Sequence, residues 1–482
     1  MAVNAEHSDY TAAKPKWERA RDAMAGQDAV HAKGELYLPK PEGYDTQKYQ
    51  AYLKRTLFYG ATGRTVDGLS GMVFRRPPSI EVPAATDYLE QDVDTADTPL
   101  TAFCEKVVDE LLQVGRVGLL VDFPPMPNVR TLAEERAVGA RPYIKTYCAE
   151  SIINWKVERM GNRSMLTMVV LLEQAEVAKD EYTSQRVQQW RVLRLVNRVY
   201  SQELWQKKQG ATVGAADEFE MVEGYPVFPM LGGKPMDFIP FLICGPMGMD
   251  VCVAKPPILD LADVNLSHYR TTADLEHGLH FTGLPTPVVT GHTFDTGETF
   301  ALGSSIVKAF ENTQAKAYFM EFTGAGLGGL EKRLEKKEEM MAALGARLLG
   351  AQKRTAEAAE TAAIHRSGEN GVLASLAIGA SQAISRALNW CAQWGGVQEE
   401  AKVELNTDYL PTGLSAQELL ALVQSWQAGA ISHETLYDNL QRGEIAQQGV
   451  PFEEEQAKIE AEGPALGTMN EPPVGGPGAN GQ

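Results

Sequence analysis

Apolar positions along this chain recur at helical spacing in some windows and cluster or alternate in others, and the switches between the two delimit its elements. A charged stretch from Lys16 to His31 reads as helical, and ELYLPKPEGY after it, punctuated by Pro and Gly, reads as an extended arm. Thr46 is placed as the cap of an amphipathic helix with Tyr49, Leu53 and Leu57 on one face, which leads through Gly60 and GLSGMVFRRPP to a stop at Pro77 and Pro78. Thr98 as cap, Pro99 in the first turn, a stripe of Phe103, Val107, Leu111 and Val114, and Gly115 as terminator predict a further helix. VGLLVDF follows as a buried-type strand. Between Pro142 and Leu242 the runs PYIKTY, INWKVE, MLTMVVLL, QQWRVLRLV, VYSQELW and FIPFLI, spaced by turn residues, predict a mostly antiparallel sheet.

From Pro257 the period changes. Two helical runs, ILDLADVNLSHYRTTADLEHGLHF and LGGLEKRLEKKEEMMAALGARLLGA, flank an insertion at 284–325 that holds PTPVVTG, SSIVKAF and KAYFMEF as short strands. Each run would extend roughly 37 Å at about 1.5 Å per residue, so an antiparallel pair with a small strand domain at its tip is expected. QKRTAEAAETAAIHRSGEN reads as a polar loop, followed by a helix from Gly371 to Trp394 with Val372, Leu376, Ile384 and Leu388 on one stripe. A strand, KVELNTDYL, precedes two helices that begin near Ser415 and Ser432, with Ser415 and Glu418 as a capping box. EEEQAKIEAEG and the Pro/Gly-rich end read as a disordered tail. The fold class is α+β.

At 482 residues the chain exceeds the roughly 250–300 at which one core stops growing, so two or more packed regions are expected. The five cysteines are scattered without C-x-x-C spacing, which points to a reduced site of synthesis such as the cytoplasm rather than to a zinc or disulfide framework. No leader-like start and no stretch of about 18 uninterrupted apolar residues is present, so neither secretion nor membrane insertion is expected. A formal net charge of −18 opposes tight binding to the phosphate backbone, since such affinity comes from Lys and Arg neutralising phosphates.

Gly324, Gly326 and Gly329 satisfy G-x-G-x-x-G, the spacing that cradles a pyrophosphate and the basis of an alternative reading as a nucleotide-dependent oxidoreductase. A highly charged helix running into a polar loop does not continue as a dinucleotide-binding unit would, and a strand-to-helix hinge accounts for the glycines. His277 and His280, with His268 nearly three turns earlier, lack a third ligand at metal-binding spacing and read as packed polar residues. No metal or cofactor is called for, and hydrolase and NTPase signatures are missing. The helix from Leu330 carries like-charge pairs at i, i+4: Glu331 with Glu335, Lys332 with Lys336, Arg333 with Lys337, and Glu335 with Glu339. Such rows oppose an isolated helix and read either as a solvated face or as rows neutralised by neighbouring chains, with Leu330, Leu334, Met341 and Leu348 as a thin apolar seam.

This order of elements resembles phage portal proteins, in particular a subgroup once catalogued as a domain of unknown function. The stretches that carry the resemblance are residues 49–78, PPILDLADVNLSHYRTTADLEHGLHFTGLPTPVVTG at 256–291, and VELNTDYL with the helices after it. The resemblance implies an N-terminal arm (1–45), a wing (46–255), stem helices (256–282 and 326–351), a clip (283–325), a tunnel loop (352–370), a long helix returning to the wing (371–413), a helical crown (414–450) and a tail (451–482). It further implies a twelve-fold ring at one capsid vertex of a virion, without enzymatic activity. Double-stranded DNA would be its passenger, and the large terminase, a head-to-tail adaptor, and the capsid and scaffolding proteins its partners. Lys353, Arg354, His365 and Arg366 would lie in the tunnel loop, and Lys308 and Glu311 on the clip's docking surface. Lys332, Arg333, Glu335, Lys336, Lys337 and Glu339 would pair between subunits. Another virion connector component, such as an adaptor, is the second alternative.

Overall fold

The computed structural model describes residues 3–124, 140–208, 210, 218–283, 286–291, 312–320, 324, 326–349, 359–397, 399–407, 409, 416–442, 445–446 and 450–462, with backbone alone for 286–287, 346–349, 359–370, 416–418, 442, 460 and 462. It is mixed helix and sheet, as an α+β chain should be, and divides into two compact units, 1–407 and 408–482.

The first unit opens with helices α1 (Ser8–Ala25), α2 (Gln27–Ala32), α3 (Thr46–Arg55), α4 (Ala61–Val73) and α5 (Leu100–Val114), with the short strand β1 (Ser79–Glu81) between the last two. Asp45, not Thr46, caps α3, its Oδ1 accepting the Lys48 N–H at 2.8 Å. Thr98 does not cap α5 either; its hydroxyl donates to Asp94 instead. Gly115 ends α5 as expected, at φ +70 with its N–H on the Leu111 carbonyl, a left-handed turn that suits glycine. Because α3 stops at Arg55, Leu57 leaves the helical face and is 60% exposed.

Strands β2 (Val117–Asp122), β3 (Tyr143–Cys148), β4 (Ile152–Met160), β5 (Arg163–Ala178), β6 (Ser184–Val196), β7 (Val199–Lys207) and β8 (Phe219–Met221) follow, then β9 (Met230–Leu231), β10 (Lys234–Pro235), β11 (Phe241–Gly245) and β12 (Gly248–Met249). They form an antiparallel five-stranded meander, β4-β5-β6-β7-β8, a four-stranded antiparallel sheet, β12-β11-β2-β3, and the small pair β9-β10. One apolar cluster joins the larger sheets, with Leu120, Phe241 and Ile243 against Val169, Leu171, Trp190, Val192 and Tyr200. Gly118 permits this packing, since a Cβ there would stand 2.4 Å from the Phe241 ring.

Tyr10 and Trp17 of α1 are buried in the same cluster. Helix α1 is therefore packed into the core, because a buried Trp holds it in place. Arg21 reinforces this, binding Glu110 at 2.6 Å and Glu150 at 3.0 Å.

A charged cluster lies where the two sheets meet. Glu173 accepts from Arg191 Nε and Lys145 Nζ, each at 3.0 Å, from Gln189 at 2.7 Å, and from the Tyr147 hydroxyl. Burial alone would raise its pKa, but Arg191 and Lys145 outweigh it and hold the carboxyl at about 2.

Two long helices, α6 (Leu259–Gly283) and α7 (Leu327–Leu349), bracket the hairpin strands β13 (Thr286–Thr290) and β14 (Lys316–Met320), which pair antiparallel. The expected strand SSIVKAF lies outside the described residues. Helix α8 (Ala359–Trp394) begins well before Gly371: residues 359–370, expected to be loop, are helical. Ala359, Ala362 and Ala363 explain this, since alanine favours helix rather than flexibility. Residues 371–394 are long and apolar enough to cross a membrane, but half of the apolar window is buried, and α8 packs on β2, β11 and α5. Strand β15 (Lys402–Glu404) returns to pair with β1. Its other edge is closed by side chains one helical turn apart on α8: Ser381 accepts from Leu405 N–H, Ser385 from Val403 N–H, and Asn389 Oδ1 from Ala401 N–H.

The second unit contains α9 (Ala416–Gln427), α10 (His433–Arg442) and α11 (Phe452–Glu462). Ser432 caps α10 by accepting the Thr435 N–H at 3.0 Å. Ser415 of the expected capping box lies outside the described residues. Helix α11 falls within the segment expected to be disordered. Phe452 anchors it against His433 and Tyr437, while Glu453, Glu454 and Glu455 in its first turn favour the positive helix end.

Candidate functional site

Helices α6 and α7 run antiparallel: Ser267 and Thr271 meet Lys337 toward one end, and Gly278 meets Leu327 at the other. A Cβ on Gly278 would fall 2.5 Å from the Leu327 side chain, so the missing side chain is what lets the helices close at the hairpin end. Residues 37–58 hold the start of α6. Tyr37, Leu38, Tyr49, Tyr52, Leu53 and Phe58 form a cluster with Ala262, Leu266, Tyr269 and Ala273. The pair is thus anchored at its base, while its tip carries β13 and β14 among the described residues. Every described residue of β14 is exposed there, including Tyr318 and Phe319.

The charged helix divides into two faces. Lys332, Arg333, Glu335, Lys336 and Glu339 are exposed, and Lys332, Arg333 and Lys336 have no carboxylate partner among the described residues. Lys337 does not belong with them. It is 6% exposed and donates to the Ser267 carbonyl at 2.7 Å and to Thr271 Oγ1 at 2.6 Å within its own chain. Burial lowers its pKa, and Arg333 and Arg270 push in the same direction. The i, i+4 spacing grouped Lys337 with Arg333, but that spacing is blind to which row α6 covers. Of the expected seam, Met341 is buried and Leu330 and Leu334 are half-buried.

The histidines have separate partners. His268 Nε2 lies 3.3 Å from Glu338, and His277 Nε2 lies 2.6 Å from the Tyr44 hydroxyl. Burial lowers both pKa values. The described residues hold no group of three or more His, Cys, Asp or Glu able to bind a metal. Gly324 sits at φ +64 and its carbonyl accepts the Leu327 N–H, a tight entry into α7. All described strand pairs are antiparallel, so this loop does not open a parallel nucleotide-binding unit among the described residues.

Lys308, Glu311, Lys353 and Arg354 lie outside the described residues, and His365 and Arg366 lie on the backbone of α8. The structure thus brings together the exposed cations of α7, while the side chains expected in the tunnel loop and clip lie outside what it describes. Pattern reading passed over the Glu173–Arg191 cluster, whose signal was charged residues inside otherwise apolar strands.

A family described as Domain of unknown function (DUF4055) matches residues 257–395, which span α6, the hairpin, α7 and α8. No curated protein matches the chain. Among solved structures, a virion of a native gene transfer agent particle aligns at 14% identity and a TM-score of 0.40. The neck of an empty particle of that kind, with C6 symmetry, aligns at 13% and 0.39, and a native neck with C12 symmetry at 12% and 0.34. Each alignment covers 86% of this chain and 98% of the other.

Proposed function

We propose that the chain is a portal subunit: a non-enzymatic ring component at one capsid vertex, through which double-stranded DNA enters and leaves the virion. The observation that carries this reading is the antiparallel pair α6–α7. It is anchored at its base, bears a strand hairpin at its tip and presents along α7 a row of exposed cations without carboxylate partners among the described residues. Such a row opposes a lone helix and is satisfied when acidic neighbours pack beside it. In this reading the hairpin end docks the terminase during packaging and the adaptor afterwards, while the opposite end faces the capsid and scaffolding proteins.

Native mass spectrometry and electron microscopy of the purified chain test the proposal. Closed rings, twelve-fold in the first instance, are expected, and a chain that stays monomeric at every concentration would overturn it.

A second expected outcome concerns DNA. A twelve-fold ring has a formal charge of 12 × −18 = −216, so duplex DNA in the channel meets net repulsion. Isolated rings should bind free duplex weakly at physiological salt. Nanomolar binding, falling by about one unit of log K per neutralised phosphate as salt rises, would show instead that the wall grips its passenger.

A further inference from the structure

β5 and β6 outrun their neighbours. β4 leaves β5 at Leu171, and β7 leaves β6 at Gln189, so residues 174–188 form a two-stranded ribbon with no further strand on either edge among the described residues. A lone ribbon of this kind is marginal in water. Its tip is nevertheless well built: Asp180 Oδ1 accepts the N–H groups of Tyr182 and Thr183 at 2.9 and 2.8 Å. That turn presents Tyr182, 89% exposed, beside Glu181, an exposed carboxylate with no cationic partner among the described residues.

At the other end of β5 lies a groove of 790 Å³ beside the β4–β5 turn. Phe238, Trp390 and Met249 give it an apolar lining, with Phe238 and Trp390 ring centroids 5.2 Å apart. Arg386 lies over Trp390, and Arg163 stands on the turn; both are exposed, with no carboxylate partner among the described residues. The groove's other exposed guanidinium, Arg198, is already paired with Asp237. Asp250 is engaged by the Cys252 N–H. In a chain of net charge −18, two free guanidinia around an aromatic floor make a complementary seat for an acidic, aromatic tip.

We propose that the ribbon tip of one copy seats in this groove of the next, with Tyr182 against Trp390 and Phe238 and Glu181 between Arg163 and Arg386. Tip and groove lie at opposite ends of a strand about 50 Å long, so the contact is head-to-tail, the kind that closes into a ring when the rotation allows. The inference rests on the ring reading, and its test separates the two.

In the full chain, Tyr182→Ala and Arg386→Glu should each raise the concentration for half-assembly by about tenfold or more while the melting profile of the dilute monomer holds. Combining Glu181→Arg with Arg386→Glu in one chain restores opposite charges between positions 181 and 386, though not between 181 and Arg163, and should recover part of the loss. Single variants that assemble like the wild type, or a double variant whose defects add, would overturn the tip-in-groove contact while wild-type rings still support the ring reading. A wild-type chain that never assembles would overturn both.

Discussion

Replacing Arg191 by Met is expected to lower the stability of the first unit by about 3–5 kcal/mol, because it removes one partner of a buried ion cluster and leaves the other behind. Arg191 touches both acids, Glu173 at 3.0 Å and Asp122 at 3.8 Å, and also donates to Gln202. The loss is also readable through pH. Glu173 titrates near 2 in the folded chain against 4.5 ordinarily, so its stabilisation is present above pH 4.5 and is lost as pH falls toward 2. That displacement corresponds to about 3 kcal/mol at neutral pH. Asp122 is moved the other way, burial raising its pKa despite Arg191, and so offsets part of the gain. Urea unfolding across pH 2–7 should show the wild type weakening in acid and the variant weaker at pH 7 with a flatter profile. A loss below about 1 kcal/mol with an unchanged profile would mean that the cluster does not hold the sheets together.

The second large effect separates two adjacent lysines. Lys337→Glu places a carboxylate against the Ser267 carbonyl in a buried site and should destabilise the monomer by about 3 kcal/mol or more. Lys336→Glu, on the exposed face, should change monomer stability by no more than about 0.5 kcal/mol. It should nonetheless weaken ring assembly, and more so at low salt, where exposed charges are less screened. Thermal unfolding of the dilute chain and sedimentation of the concentrated chain read the two effects apart. Equal monomer destabilisation by both would erase the distinction between the faces. Normal assembly of Lys336→Glu at low salt would leave that face merely solvated.

Much of the chain was legible in advance because its local signals are strong and agree with one another. The stripe Phe103–Val107–Leu111 with Gly115 behind it could only be one buried helical face with a left-handed stop. The runs between Pro142 and Leu242 form the antiparallel strands they predict, divided between two sheets. The helices flanking the 284–325 insertion stand at Leu259–Gly283 and Leu327–Leu349, as their periodicity requires. Apart from the helical start of α8, which local alanines decide, what failed was decided by partners distant in sequence. Trp17 becomes core because sheet residues some 150 positions away cover it, and Phe452 orders α11 because His433 and Tyr437 receive its ring. Lys337 is buried and Lys336 exposed because α6 covers one row of α7 and not the next. Local sequence determined where the elements begin, which period they follow and how much charge they carry. Only tertiary contact decided which charged side chains lose their water, because desolvation depends on what packs against a face and not on the face itself.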